Sequence, residues 1–308
     1  MPKAWPSRLG ALWEAGVRRF LLILTAAIVV ILMLVVWLYP SGEDFRADNP
    51  FWNGLKTFAD RSGAELLDSL DDLPKRSQGT SLVLVPYLPY TAGELDSIGT
   101  YLSNGGTVVL MDDFGDGNQV LEYLGVDVRF SQNVLLDPLF NYKSKWLPEV
   151  DDFAPGLVTE EVETVVLNHA TTLSGVAEAD ALAWSSRFSY LDINGDSTWQ
   201  EDEPKGAFTV AALLEVQGSY VAVVADPSVL INSMEDIGNN YAFVQHIAAV
   251  DSPQPRILID QSHLPEAALD QAKSTLSTVR DALSSPAAAS VLMVVLLVIV
   301  LRPLWRRA

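Results

Sequence analysis

Apolar positions fall into two patterns along this chain. Two long uncharged runs stand near the ends, at residues 20–38 and 287–301, and the stretch between them carries only short apolar runs broken by Gly, Pro, Asn and Asp. The first run, FLLILTAAIVVILMLVVWL, is long enough to cross a bilayer as a helix. The second, AAASVLMVVLLVIVL, is about 15 residues long. It therefore predicts a span over 286–301, with Pro286 and the Ser284–Ser285 pair in the headgroup zone. Trp37, Tyr39 and Trp305 are placed as interfacial aromatics. The alternatives are a cleaved signal peptide for the first run and a buried core helix for the second. The first apolar core exceeds the usual signal length of about 7–15 residues, and no A-x-A site follows it.

Between these runs the pattern predicts α/β structure. Asn49-Pro50 opens a helix over 49–60, and a short strand covers 64–67. Residues 81–86, SLVLVP, read as a buried strand. Thr91-Ala92-Gly93-Glu94 is a capping box that opens a helix to Ser103, and Asn104-Gly105-Gly106 ends it. TVVLM at 107–111 is the next buried strand, followed by a loop over 112–117 and a short helix capped by Asn118. Strand, helix, strand, helix at this spacing predicts a parallel sheet with helices on its faces. The stretches 137–146 and 148–155 read as loop, with short strands at 164–167 and 181–184. A hairpin joins 208–216 to 220–225 through Gln217-Gly218-Ser219. Asn239-Asn240 caps a helix to about Ala249, residues 256–260 form a last strand, and 265–283 form a helix leading into the second span.

Charge assigns sides to this arrangement. The chain of 308 residues carries 20 basic and 39 acidic residues, a formal net charge of -19, yet 49% of it is hydrophobic. Lys3, Arg8, Arg18 and Arg19 precede the first run, and Arg302, Arg306 and Arg307 follow the second. Basic flanks stay cytoplasmic, so both termini are expected inside a cell membrane and the main domain outside it. Setting aside those seven basic residues and Glu14 leaves 13 basic against 38 acidic, a net of -25 on the outer part. The expected organisation is a cytoplasmic segment 1–19, a span 20–38, an extracytoplasmic α/β domain 40–265, a juxtamembrane helix 266–285, a span 286–301 and a cytoplasmic tail 302–308. An acidic surface excludes nucleic acid as a partner, since phosphate binding needs clustered Lys and Arg. The absence of cysteine excludes disulfides, thiolate metal sites and a Cys nucleophile.

Several motifs in order resemble one prokaryotic family, the domain of unknown function DUF4350. They are Asn104-Gly-Gly-Thr-Val-Val-Leu-Met-Asp-Asp113, then Gly117-Asn118 with Leu121 and Gly125. Further on come Ser189-Tyr-Leu-Asp-Ile-Asn-Gly-Asp196 with Glu203-Pro-Lys-Gly206, and Ala225-Asp-Pro-Ser228 with Asn232 and Asn239-Asn240. Asp260 and His263 match an acidic-x-x-His strand end. The resemblance covers roughly 45–265. It implies a flavodoxin-like sandwich similar to the class I glutamine amidotransferases, in a membrane-anchored envelope protein. It also implies membrane or AAA-ATPase-associated partners, because relatives tend to be encoded near MoxR-type AAA ATPases. The amidotransferase nucleophile is a Cys at a strand-to-helix elbow. The matching turn here is Asp112-Asp113-Phe114-Gly115, which offers none.

Three candidate sites remain. Asp192, Asn194, Asp196, Thr198, Gln200 and Glu203 fall at positions 1, 3, 5, 7, 9 and 12 of a loop with EF-hand spacing, a hard-oxygen set suited to Ca²⁺. Position 6 is Ser197 where that loop uses Gly, and no helix pair flanks it; an acidic Asx-rich turn is the alternative. Asp112, Asp113 and Asp116 follow a buried strand, where paired carboxylates bind a metal or exchange protons, or simply solvate the loop and the helix start. His263, near Asp260, reads as a general base or as a satisfied structural histidine. The expectation is a non-catalytic binding or assembly component of an envelope complex. The alternatives are a metal-assisted hydrolase working through Asp112, Asp113 and His263, and an accessory subunit of a transporter.

Overall fold

The computed structural model describes residues 7–73, 75, 77–284, 290, 293 and 294. These divide into two units, one holding the described residues before Ser41 and after Pro265, the other spanning Ser41–Pro265. The expected second span, 286–301, lies outside the described residues apart from three isolated positions.

In the first unit, helix α1 runs over Ser7–Leu38. Its stretch Gly16–Leu38 is long and apolar enough to cross a membrane and stands near the N-terminus, where a signal sequence would pass the same test. None of that stretch is buried: Leu22 and Ile23 are each 70% exposed. An apolar stretch exposed in this way needs another solvent for its surface. Helix α6 covers Ala268–Ser284, a few residues later than its predicted start.

The second unit is built on one sheet of eight strands. In chain order these are β1 (Glu65–Leu67), β2 (Thr80–Leu84), β3 (Thr107–Met111), β4 (Asp152–Phe153), β5 (Ala181–Trp184), β6 (Thr209–Val216), β7 (Ser219–Val224) and β8 (Arg256–Asp260). They lie in the order β1-β8-β2-β3-β7-β6-β5-β4. The first five run parallel and the last three add antiparallel, so the sheet is mixed and mostly parallel. Every residue of β2 and β3 is buried, as expected of strands covered on both faces. The late strand β8 inserts between β1 and β2, which places the chain's last predicted strand inside the sheet.

Local signals explain much of this. Thr91 caps α3 (Ala92–Ser103) with the reciprocal capping box, and Gly105 leaves it at φ 86°. The β6–β7 hairpin turns on Gln217 at φ 55° and Gly218 at φ 80°, a two-residue turn of the kind that matches strand twist.

Four predicted details are corrected. Asn49 does not open a helix: its Oδ1 accepts from Phe51 N–H and its Nδ2 donates to Glu43 O, tying a turn, and the helix α2 begins later, at Lys56–Ser62. Asn118 does not cap α4 (Gly117–Tyr123); it pairs with both the N–H and the carbonyl of Phe130. Asn239, at the start of α5 (Asn240–Ala248), instead accepts from the N–H groups of Glu163 and Thr164. The stretch 148–155, read as loop, contains the edge strand β4 and a short pair, Glu149–Val150 with Val165–Val166. Strands of two residues carry no periodicity to detect.

Candidate functional site

The carboxyl ends of the parallel strands gather the polar residues of the domain, where open α/β sheets bind ligands. Strand β3 delivers Asp112 and Asp113, β7 delivers Asp226, β2 leads to Tyr87, and β8 leads to Asp260 and His263. All six are buried or half-buried.

Asp112 is fully buried and committed to the backbone. Its Oδ1 accepts from the N–H groups of Asp113 and Gly115, each at 2.8 Å, and its Oδ2 accepts from Gly117 N–H at 2.8 Å. Burial pushes its carboxyl up to about 6 against these bonds, and the Asp113 charge adds to the rise. Asp113 is 6% exposed. Its Oδ1 accepts from Phe114 N–H at 2.6 Å and from the Tyr87 hydroxyl at 2.9 Å. Burial raises this carboxyl too, although both bonds oppose the rise. Burial also raises the Tyr87 phenol, and the neighbouring Asp113 adds to it, so Tyr87 stays a neutral donor.

Asp226 is fully buried at the end of β7. Its Oδ2 accepts from Asn168 N–H at 2.6 Å and its Oδ1 from Ser228 N–H at 2.7 Å, so Asp226 caps the helical turn Pro227–Leu230. Burial pushes Asp226 up to about 8, with the Asp113 charge contributing. The sequence places Asp226 in the Ala225-Asp-Pro-Ser228 motif without a site role, and Tyr87 in no candidate site. The signal for both was present in acidic and aromatic residues lying one to three positions past a buried strand.

His263 belongs to a second cluster. Its Nδ1 lies 2.6 Å from Asp260 Oδ2, its Nε2 lies 3.6 Å from Glu94 Oε2, and its ring packs on Tyr90 with centroids 3.9 Å apart. Burial works against its charge, but the Asp260 bond and both carboxylates outweigh it, so its pKa is raised. The two clusters touch through Tyr87, whose N–H donates to the His263 carbonyl at 3.0 Å while its hydroxyl holds Asp113. No side-chain hydrogen bond joins His263 to Asp112 or Asp113. Strand β2 lies between their parent strands, a separation of two strand spacings, about 10 Å.

Past the carboxyl ends of β2, β3 and β7 opens a cavity of about 180 Å³, lined by Asp44, Phe45, Trp52, Asn53, Tyr87, Asp113, Asn168, His169, Ser228 and Ile231. His169 sits at its edge at φ 56°, stacked on Trp146 with centroids 4.7 Å apart.

The 192–203 loop lies elsewhere, after a short strand Tyr190–Asp192 paired with Val134–Leu136. Ser197 takes φ 61°, so the sharp turn at position 6 forms without Gly, and its N–H donates to Asp192 Oδ2 at 2.9 Å. Glu203 is buried and accepts from the N–H groups of Ile193 and Gln200. Asp196 accepts from Thr198 N–H and from the Gln200 amide, and Asn194 accepts from Asp196 N–H. Among the described residues, no three His, Asp or Glu side chains converge as a ligand set.

The solved structure of the "mmIFT52 N-terminal domain" is 16% identical, with a TM-score of 0.51 over 69% of this chain and 94% of that one. A ThuA-like protein from Bacteroides uniformis is 14% identical, with a TM-score of 0.36 over 65% of this chain and 84% of that one. No curated protein matches the chain. The first likeness is one of fold, and it agrees with the mixed α/β sheet. The model of the domain of unknown function DUF4350 matches residues 47–248, more than half of the chain, and the chain belongs to that family.

Proposed function

We propose that this protein is a membrane-anchored, non-catalytic binding or assembly component of a cell-envelope complex. Its acidic α/β domain would lie outside the cytoplasm, and both termini inside. The observation that carries the non-catalytic reading is the commitment of Asp112. All the hydrogen bonds its carboxylate receives come from the backbone of its own turn, which leaves it as the scaffold of the β3–α4 elbow. Asp226 is spent in the same way on Asn168 and Ser228. The elbow supports an amidotransferase-like ancestry for the fold, with a carboxylate knot where that fold carries its Cys. The anchored reading is supported by the exposed apolar stretch Gly16–Leu38, and the two-pass topology by the basic residues flanking both apolar runs.

Fractionation of cells expressing the full chain tests the anchoring, and affinity isolation in mild detergent tests the assembly. Recovery in the membrane fraction with a stable membrane or ATPase-associated partner is expected. A soluble, solitary monomer would overturn the reading. Hydrolysis of an envelope substrate that is lost in Asp113→Asn and His263→Gln would favour the metal-assisted alternative. The left-handed Ser197, which completes an EF-hand-like turn, supports a Ca²⁺ role for the 192–203 loop as a second proposal.

A further inference from the structure

The cavity beside Asp113 has two distinctive walls, set among polar neighbours that include Asn53, Asn168, His169 and Ser228. One is aromatic: Phe45 stacks on Tyr87 with centroids 5.2 Å apart, and Trp52 stands 67% exposed at the rim. The other is anionic, from Asp113 and Asp44, and neither Lys nor Arg lines the cavity. Asp113 is 6% exposed, yet its hydrogen bonds all fall on Oδ1. Its Oδ2 receives none from another described residue and is not sealed from solvent, so it opens to the cavity.

A carboxylate oxygen that faces a cavity with no donor from the protein keeps its full acceptor capacity for a ligand that supplies a charged donor. Anions are repelled by the two carboxylates. A bare divalent cation needs several oxygen ligands, and no three acidic or His side chains converge among the described residues. A guanidinium prefers a fork across both carboxylate oxygens, but Oδ1 is already taken by Phe114 and Tyr87. An ammonium needs only one such oxygen, and the carbon stem behind it suits an aromatic wall. The volume of about 180 Å³ is well below that of pockets for drug-sized ligands, about 300–1,000 Å³, so the occupant is a small group. We propose that this cavity binds an alkylammonium group, with the charge on Asp113 Oδ2 and the stem against Trp52 and Tyr87. This deepens the binding role proposed above and rests on it.

The probes are n-butylammonium chloride, for a free amine, and Nα-acetyl-lysine N-methylamide, for a chain-borne lysine. Each is titrated by calorimetry into the full chain in uncharged detergent, against n-butylguanidinium and sodium chloride. Saturable binding of either ammonium, tighter than the guanidinium, is expected. Asp113→Asn should weaken it about tenfold or more, because the amide keeps the Oδ1 acceptor and removes only the free oxygen. Trp52→Ala should weaken it about threefold, and its exposed position leaves folding undisturbed. Tighter binding of the lysine derivative supports a polypeptide as the source, and tighter binding of butylammonium a free amine. The absence of saturable binding by both, or an affinity unchanged in both variants, overturns the assignment. A chain that fractionates with membranes and holds its partners but binds no ammonium overturns this proposal alone. A chain that binds ammonium but is soluble and solitary overturns the envelope reading alone.

Discussion

Gly117 N–H donates to Asp112 Oδ2 at 2.8 Å, and a Cβ placed on Gly117 would lie 2.7 Å from that same oxygen. The carboxylate and the missing side chain therefore define one another. Asp112→Ala leaves the buried N–H groups of Asp113 and Gly117 and the half-buried one of Gly115 without their acceptor and is expected to cost about 3 kcal/mol or more. Gly117→Ala should cost about 1–3 kcal/mol through overpacking. Equilibrium denaturation of the full chain in detergent reads both. A small loss for Asp112→Ala would mean that the carboxylate does not hold the elbow and is available for chemistry.

The elbow also shows which parts of the structure were legible in the sequence. The strand at Thr107–Met111 and the capping box at Thr91 rest on contiguous residues whose local chemistry decides their structure, and both appear where expected. Asn49, Asn118 and Asn239 each read as helix caps because the same short side chain that caps a helix also closes an Asx turn or bonds a distant backbone. Asn49 closes a turn on Phe51, whereas Asn118 and Asn239 go to the Phe130 backbone and the Thr164 N–H, which are not their neighbours in sequence. Asp112 and Asp113 were found as candidates by their place after a buried strand. Their division of labour, one sealed by its turn and one open to a cavity, depended on Tyr87 and Trp52, which come from other elements.

The 192–203 loop should bind Ca²⁺ weakly, with Kd in the range of about 10⁻⁴–10⁻³ M. Ser197 already holds the left-handed turn, so little backbone rearrangement is needed there. Glu203 and Asp196 would have to exchange bonds to amides for the ion, which keeps the affinity low. Calorimetric titration of the full chain should show a saturable heat, lost in Asp192→Asn and in Glu203→Gln. No heat in the native chain would leave the loop as an Asx-rich turn.

His263 makes stability depend on pH in one direction. Its folded pKa is raised above the ordinary value of about 6.5. Its contribution is therefore fully present below that ordinary value and is lost as pH rises through the higher folded pKa. His263→Gln should lower Tm more at pH 5.5 than at pH 8.5, because only the charged imidazole makes a full ion pair with Asp260 at 2.6 Å. An equal loss at both pH values would show that packing on Tyr90 is all that His263 contributes.

Asp226 should add a slope of the same sign for a different reason. Burial raises its carboxyl to about 8, from an ordinary value near 3.8, so the folded state holds a proton that the unfolded state releases. The resulting stability is present below the ordinary value and is lost as pH rises toward about 8. Asp226→Asn keeps one acceptor for the Asn168 and Ser228 N–H groups but sets an amide NH₂ against the other, costing about 1–3 kcal/mol at pH 5. The neutral amide cannot ionise, so the variant's deficit should shrink as pH rises, and the two stability curves should approach each other by pH 8. Thermal unfolding at four or five pH values between 5 and 8.5 measures this. Parallel curves would mean that the two N–H donors hold Asp226 ionised across the range in spite of its burial.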